Sequence, residues 1–137
     1  MTRVYLAGHL HDDWRNQFIW EYETLLSLKG ISSSKIEWLQ PRRSFSESTG
    51  KPGSDAKKYV PNDIRLINSS DAVVFVLEKD HGNIGGAWEV GYAYAMHIPV
   101  LLLDRDPENY RYDILRMTSF VHTDESEMFE AIAMMEK

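Results

Sequence analysis

Glu89 is the residue of this sequence whose surroundings most strongly indicate chemistry. It lies within residues 85–95, GGAWEVGYAYA, and no other acidic or basic side chain occurs between His81 and His97. A buried carboxylate costs free energy unless hydrogen bonds or an opposite charge compensate it. The pattern therefore predicts that Glu89 is retained for a ligand. The plainer alternative is a first-turn acid that the helix dipole stabilises.

Two apolar runs on either side of this segment predict where Glu89 lies. Residues 72–77 (AVVFVL) and 99–103 (PVLLL) are continuously apolar, which is typical of strands buried on both faces of a parallel sheet. Glu89 would then begin the helix that joins these two strands. That position is the carboxyl edge of the sheet, where open α/β sheets bind ligands.

Tyr5 and Asp63 are the two other side chains that such a sheet can bring to Glu89. Tyr5 lies in the first predicted strand, and Asp63 lies in the helix before the third strand. Tyr5 can also be read as a core aromatic with a hydrogen-bonded hydroxyl, and Asp63 as a first-turn acid. Gly85 and Gly86 precede Glu89 and would present backbone N–H groups to a ligand.

Strands and helices alternate along the whole chain, which predicts one α/β domain over residues 1–137. The fold class is a three-layer, flavodoxin-like or Rossmann-like five-stranded parallel sheet flanked by helices. Pro61 is expected to open the helix that carries Asp63, because proline favours the first helical position. The predicted strands are residues 3–7, 36–39, 72–77, 100–103 and 119–122. The other predicted helices cover residues 12–28, the Glu89 segment, 112–116 and 125–136.

Composition excludes several classes of function. The formal net charge of −6 disfavours non-specific nucleic-acid binding, and the absence of cysteine excludes disulfides and thiolate zinc sites. The spacing of His9, His11 and His81 is not a zinc pattern, so we expect no metal. No dinucleotide or Walker motif is present, and we expect no cofactor. No bilayer-spanning run or signal peptide is evident, which predicts a cytoplasmic protein without membrane contact.

The segments around these candidates resemble the nucleoside 2-deoxyribosyltransferase family and its nucleotide N-glycosidase relatives. The separation of Asp63 and Glu89 also fits this family. The resemblance extends over residues 4–8, 62–71, 85–95 and 98–100.

The resemblance implies a role for each candidate. Glu89 would attack the anomeric carbon of a ribosyl or deoxyribosyl group, Tyr5 would hold the Glu89 carboxylate, and Asp63 would contact and protonate the leaving base. A retaining glycosidase divides work between two carboxyl groups in this way. Residues expected to bind substrate are Gly8, Asn83, Gly85, Gly86, Trp88, Arg42 and Arg43.

Two departures from the family pattern leave the acceptor open. Many transferases carry an acid six positions before the nucleophile, where this chain has Asn83. The residues after 125 also lack the Asn-containing tail that transferases place in a neighbour's site. The Arg42–Arg43 pair resembles that of nucleotide hydrolases and suits a 5′-phosphate, unless it is a solvated loop pair.

The sequence therefore predicts N-glycosidic bond cleavage with base exchange through a covalent glycosyl intermediate on Glu89. Hydrolysis of a nucleoside 5′-monophosphate by water is the first alternative, and a non-catalytic nucleotide-sensing module is the second. The expected partner is a small nucleoside or nucleotide. The resemblance also implies a homodimer or larger homo-oligomer, with residues 112–119 contributing to a neighbouring site.

Overall fold

A computed structural model describes residues 1–9, 13–31, 34–41 and 56–136, with the side chains of residues 56–58 left out. Its framework is a parallel sheet between two layers of helices. The strands are β1 (Thr2–Ala7), β2 (Ile36–Leu39), β3 (Ala72–Leu77), β4 (Val100–Asp104) and β5 (Phe120–His122). The helices are α1 (Trp14–Leu28), α2 (Ala56–Asn68), α3 (Ile84–Ala95), α4 (Asp113–Met117) and α5 (Glu125–Met135), and a 3-10 turn (Tyr110–Tyr112) leads into α4.

The strand order is β2-β1-β3-β4-β5, and every neighbouring pair is parallel. This is the flavodoxin-like order, so the predicted fold class is confirmed. β1 occupies the interior of the sheet, and Tyr5 lies opposite Leu39 of β2 and Val73 of β3. A side chain on β1 is therefore shielded by strands on both sides.

The two sheet faces carry different helices. Side chains of α1 and α5 pack with one set of strand residues, while α2, α3 and α4 pack with the other set. Right-handed crossovers explain this division, because the chain steps first to β2 and then back across β1 to β3, β4 and β5. Tyr5 faces the layer that contains α2 and α3.

The start of α2 differs from the prediction. α2 begins at Ala56 and contains Pro61 in its interior, so Pro61 does not open the helix. At the sixth helical position, proline removes one intrahelical hydrogen bond. The first four N–H groups of a helix have no intrahelical partner, so the interruption lies just after them and affects only the start of the hydrogen-bonded part of α2.

Close packing of α3 on β3 depends on Gly86. A Cβ atom at this position would overlap the ring of Phe75 on β3, whereas a Cβ atom at Gly85 would meet no atom within 4 Å. The missing side chain therefore lets the first turn of α3 approach the sheet closely.

A charged cluster joins the two helices of the other layer. Arg105 pairs with Glu78 and, at 2.8 Å, with Glu125 at the start of α5. Burial is the main reason that the pKa of Glu125 is raised to about 7, and a hydrogen bond with Glu21 of α1 is the second reason. The same hydrogen bond lowers the pKa of Glu21. The two carboxyl groups thus share a proton between α1 and α5.

We expect Glu125→Gln to change the pH dependence of stability. The folded-state pKa of about 7 exceeds the ordinary value of 4.5. The stabilisation from Glu125 is therefore complete below pH 4.5 and is lost as the pH rises through 7. As the pH rises from 5 to 8, the unfolding free energy of the wild type should therefore fall by about 1 kcal/mol more than that of the Gln variant.

Urea unfolding at several pH values checks this expectation. Glu127→Gln alters an exposed acid in the same turn of α5 and should follow the wild-type curve. Parallel curves for wild type and Glu125→Gln would contradict the shared proton.

Gly86→Ala should destabilise the fold by about 1–3 kcal/mol, because the added methyl group overpacks against Phe75. Gly85→Ala is the matched control and should leave the unfolding free energy unchanged or raise it by up to about 0.5 kcal/mol, since alanine favours helix. Urea unfolding of both variants provides the comparison. Equal effects would show that α3 does not depend on close contact at Gly86.

Candidate active site

The site is built around a hydrogen bond between β1 and α3. The Tyr5 hydroxyl donates a hydrogen bond to Oε2 of Glu89. Tyr5 has no exposed surface, and Glu89 is only 8% exposed. The phenol thus compensates part of the cost of burying the carboxylate, and the structure brings these two predicted residues into direct contact.

Glu89 lies deeper in its helix than the sequence predicts. α3 begins at Ile84, so Glu89 is its sixth residue and belongs to the second turn, and no acid lies in the first turn. The field of a helix N-terminus falls off within the first turn. The interpretation of Glu89 as a dipole-stabilised first-turn acid is therefore wrong.

Asp63 lies on the same side of the sheet as the Tyr5–Glu89 pair. It is 4% exposed and belongs to α2, which packs beside α3. Because α2 begins at Ala56, Asp63 is its eighth residue, and the interpretation as a first-turn acid is again wrong.

A hydrogen bond joins α2 and α3, the helices that carry the two acids. Both helices run antiparallel to the strands and hence parallel to each other, and Tyr92 of α3 donates to Asn68 of α2 at 2.8 Å. Asp63 precedes Asn68 by five residues, and Glu89 precedes Tyr92 by three. Both acids therefore lie on the N-terminal side of the Tyr92–Asn68 contact, on neighbouring helices.

Asn83 lies immediately before α3 and is 3% exposed. Its side-chain nitrogen contacts the carbonyl oxygens of Glu78 and His81 at 3.1 and 2.9 Å and the Tyr112 hydroxyl at 3.2 Å. Within the described part of the chain, its Oδ1 atom is buried and has no hydrogen-bond donor. Asn83 thus fixes the loop that leads into the helix of Glu89.

The remaining predicted binding residues differ in their surroundings. Gly8 ends β1 at a φ of +149°, and a Cβ atom there would lie 2.7 Å from the Trp14 ring. Gly85 is exposed in the first turn of α3, while Gly86 is buried against Phe75. These contacts give Gly8 and Gly86 structural roles that are independent of any ligand.

Trp88 is half exposed, and its ring stacks on the Tyr92 ring with the two centroids 5.8 Å apart.

Arg42 and Arg43 lie outside the described residues. The guanidinium of Arg15 donates to the backbone carbonyls of Leu6, Gly8 and His9. Arg15 therefore supports the end of β1.

Sequence reasoning missed two features at this edge. One is Tyr112, whose hydroxyl reaches Asn83 across 29 positions of sequence. The other is a stack of His9 on His81, with ring centroids 4.1 Å apart and planes 6° from parallel. Neither pair has a sequence signal, since the contacts join loops that follow different strands.

The described residues contain no cluster of three or more histidine or acidic side chains that could hold a metal ion. None of the helices in the described ranges combines the length and apolar character needed to cross a membrane.

The structure thus combines an open parallel α/β sheet with a buried phenol–carboxylate pair and a second acid on the same face. The chain belongs to the nucleoside 2-deoxyribosyltransferase family, whose sequence profile matches residues 4–133. Membership of this family supports nucleoside glycosyl transfer or hydrolysis as the activity. No curated protein matches the chain closely enough to count as a relative.

Solved structures share the fold at low sequence identity. A conserved protein from Enterococcus faecalis is 21% identical with a TM-score of 0.68, covering 98% of both chains. A 2-deoxyribosyltransferase from Bacillus psychrosaccharolyticus is 18% identical with a TM-score of 0.67, covering 93% of this chain and 90% of that one. A Clostridium botulinum CMP N-glycosidase is 20% identical with a TM-score of 0.55, covering 97% and 98%.

Tyr5→Phe should lower the unfolding free energy by about 1–3 kcal/mol, because it removes a donor from a buried carboxylate. Tyr92→Phe is the matched control, since its hydroxyl bonds Asn68 at an exposed position and its loss should cost less than about 1 kcal/mol. Urea unfolding near neutral pH provides the measurement. A Tyr5→Phe loss no larger than the control would show that the phenol does not stabilise Glu89.

Proposed function

We propose that this protein cleaves the N-glycosidic bond of a nucleoside or nucleoside 5′-monophosphate and transfers the glycosyl group to an acceptor base. The observation that carries this proposal is the buried Tyr5–Glu89 hydrogen bond, on the sheet face that also holds Asp63. Family membership supports the same bond as the target. The catalytic roles of these three residues are part of the proposal.

In the first step, a Glu89 carboxylate oxygen attacks the anomeric carbon. The carbon–oxygen bond forms as the bond to the base breaks, and the bonding electron pair leaves with the base nitrogen. Asp63 in its acid form gives that nitrogen a proton. Tyr5 holds the other carboxylate oxygen in place, so that the nucleophile reaches the carbon in one orientation.

In the second step, the acceptor attacks the same carbon and releases Glu89. The acceptor loses its proton to Asp63, which restores the starting state. Two displacements at one carbon retain the anomeric configuration. A base as acceptor gives exchange, and water as acceptor gives hydrolysis.

Hydrolysis of a nucleoside 5′-monophosphate is the second candidate, and Asn83 is the residue that favours it. Its amide nitrogen is directed at two loop carbonyls, and it carries no charge where many transferases have an acid. A CMP N-glycosidase is among the proteins that share this fold. Phosphate binding by Arg42 and Arg43 stays a prediction, since both lie outside the described residues.

We also propose that the protein acts as a homodimer or larger homo-oligomer. Apolar side chains of α4 and β5 are largely exposed: Ile114 is 71%, Met117 85% and Phe120 64% exposed. Met117 and Phe120 line an open depression of about 410 Å³ between the end of α3 and the edge of the sheet. Adjacent exposed apolar side chains of this size are typical of protein interfaces.

A panel of nucleosides and 5′-monophosphates, each with and without free bases, tests the function. We expect a donor such as deoxyinosine with cytosine to yield deoxycytidine, as read by chromatography. Release of a sugar phosphate from monophosphates alone would favour the hydrolase. Nucleotide binding without any released base would favour the sensing module and contradict both enzymes.

On any substrate that turns over, Glu89→Gln should reduce kcat by at least about 10³-fold, because the amide is a poor nucleophile. Mass spectrometry of the denatured wild-type enzyme should show a glycosyl adduct on the peptide that contains Glu89. Glu127→Gln, an exposed acid on the other face of the sheet, should keep full activity. Near-wild-type activity of Glu89→Gln would exclude the covalent mechanism.

A further inference from the structure

The carboxamide of Asn83 does not cap α3, although Asn83 lies immediately before this helix. Asparagine before a first helical turn commonly accepts hydrogen bonds from the first backbone N–H groups. Asn83 makes no such side-chain bond to α3. Its nitrogen is turned instead to Glu78, His81 and Tyr112, while its buried oxygen has no donor within the described ranges.

A buried acceptor without a donor is costly, and capping α3 would relieve that cost. The observed orientation must therefore be held by the contacts of the nitrogen. An amide group has two hydrogens, so the three oxygen acceptors around the Asn83 nitrogen share them. The carbonyl oxygens of Glu78 and His81 belong to the same short loop as Asn83. Among the described residues, Tyr112 supplies the contact that comes from a separate part of the fold.

Arg116 of α4 anchors the 3-10 turn that carries Tyr112. Arg116 donates to Asp104 at the end of β4 at 2.6 Å, and Asp104 is only 2% exposed. The same guanidinium donates to the backbone carbonyls of Asn109 and Asp106 at 2.8 Å each. These bonds anchor the loop after β4 and the 3-10 turn. The Tyr112 hydroxyl therefore contacts Asn83 from a segment that is itself held in place.

We propose that Tyr112 is a positioning residue of the active site. Its hydroxyl keeps the Asn83 carboxamide away from the capping orientation, and thereby orders residues 78–86 in front of the helix that carries Glu89. The kinetic consequence rests on the proposed function, whereas the ordering of the loop does not.

Tyr112→Phe removes only the hydroxyl and is the direct test. On a substrate found in the panel, KM should rise roughly three- to tenfold, while kcat stays within about twofold, because the loss affects binding rather than the reacting atoms. Tyr110→Phe is the matched control, since Tyr110 lies in the same 3-10 turn and is 74% exposed. It should leave both constants unchanged.

A double-mutant cycle separates positioning through Asn83 from a general structural effect. If Tyr112 acts through Asn83, Tyr112→Phe in an Asn83→Ala background should change KM less than twofold. A full additional three- to tenfold rise in that background would overturn the proposal, as would an unchanged KM in the single variant.

Hydrogen–deuterium exchange of the substrate-free protein provides a measurement that needs no turnover. Amides of residues 78–86 should exchange several-fold faster in Tyr112→Phe than in wild type or Tyr110→Phe. Unchanged exchange there would overturn the positioning role, even for an active enzyme. Faster exchange in a protein that turns over no panel substrate would support the positioning role and contradict the proposed function.

Discussion

A carboxylate placed where water hardly reaches it is the constraint on which this structure depends. Glu89 is almost fully buried, and the Tyr5 phenol that donates to it has no exposed surface. Such a group is tolerated only when its partners are built into rigid elements. Tyr5 meets that condition, because it projects from an interior strand that is paired on both sides.

The route of the chain follows from this requirement. Crossing from β2 over β1 to β3 places α2 and α3 on the face to which Tyr5 points. Gly86 then lets α3 approach β3 closely enough to contact the Phe75 ring. Asp63 reaches the same layer through α2, which the Tyr92–Asn68 hydrogen bond joins to α3. Sheet order and helix packing together thus gather side chains from three elements.

Much of the fold was predictable, since continuous apolar runs and helical periodicity are local signals. β2 and β3 have the predicted boundaries, and the strand order agrees with the expected class. The start of α2 differs from the prediction because proline favours the first helical position but does not require it, and here the helix already begins at Ala56. Placing the start at Pro61 also puts Asp63 in a first turn, where the helix dipole would suffice to explain it.

The candidate acids and the phenol can be recognised from the amino-acid sequence alone, because Glu89 is isolated among small and apolar residues. The class of fold can be recognised in the same way, since alternating strands and helices admit few arrangements. The packing of the folded chain was needed to establish that Tyr5 donates to Glu89, that Asn83 turns away from α3, and that Tyr112 contacts Asn83. Those contacts join residues far apart in the chain, and their geometry depends on packing between elements, which no local pattern encodes.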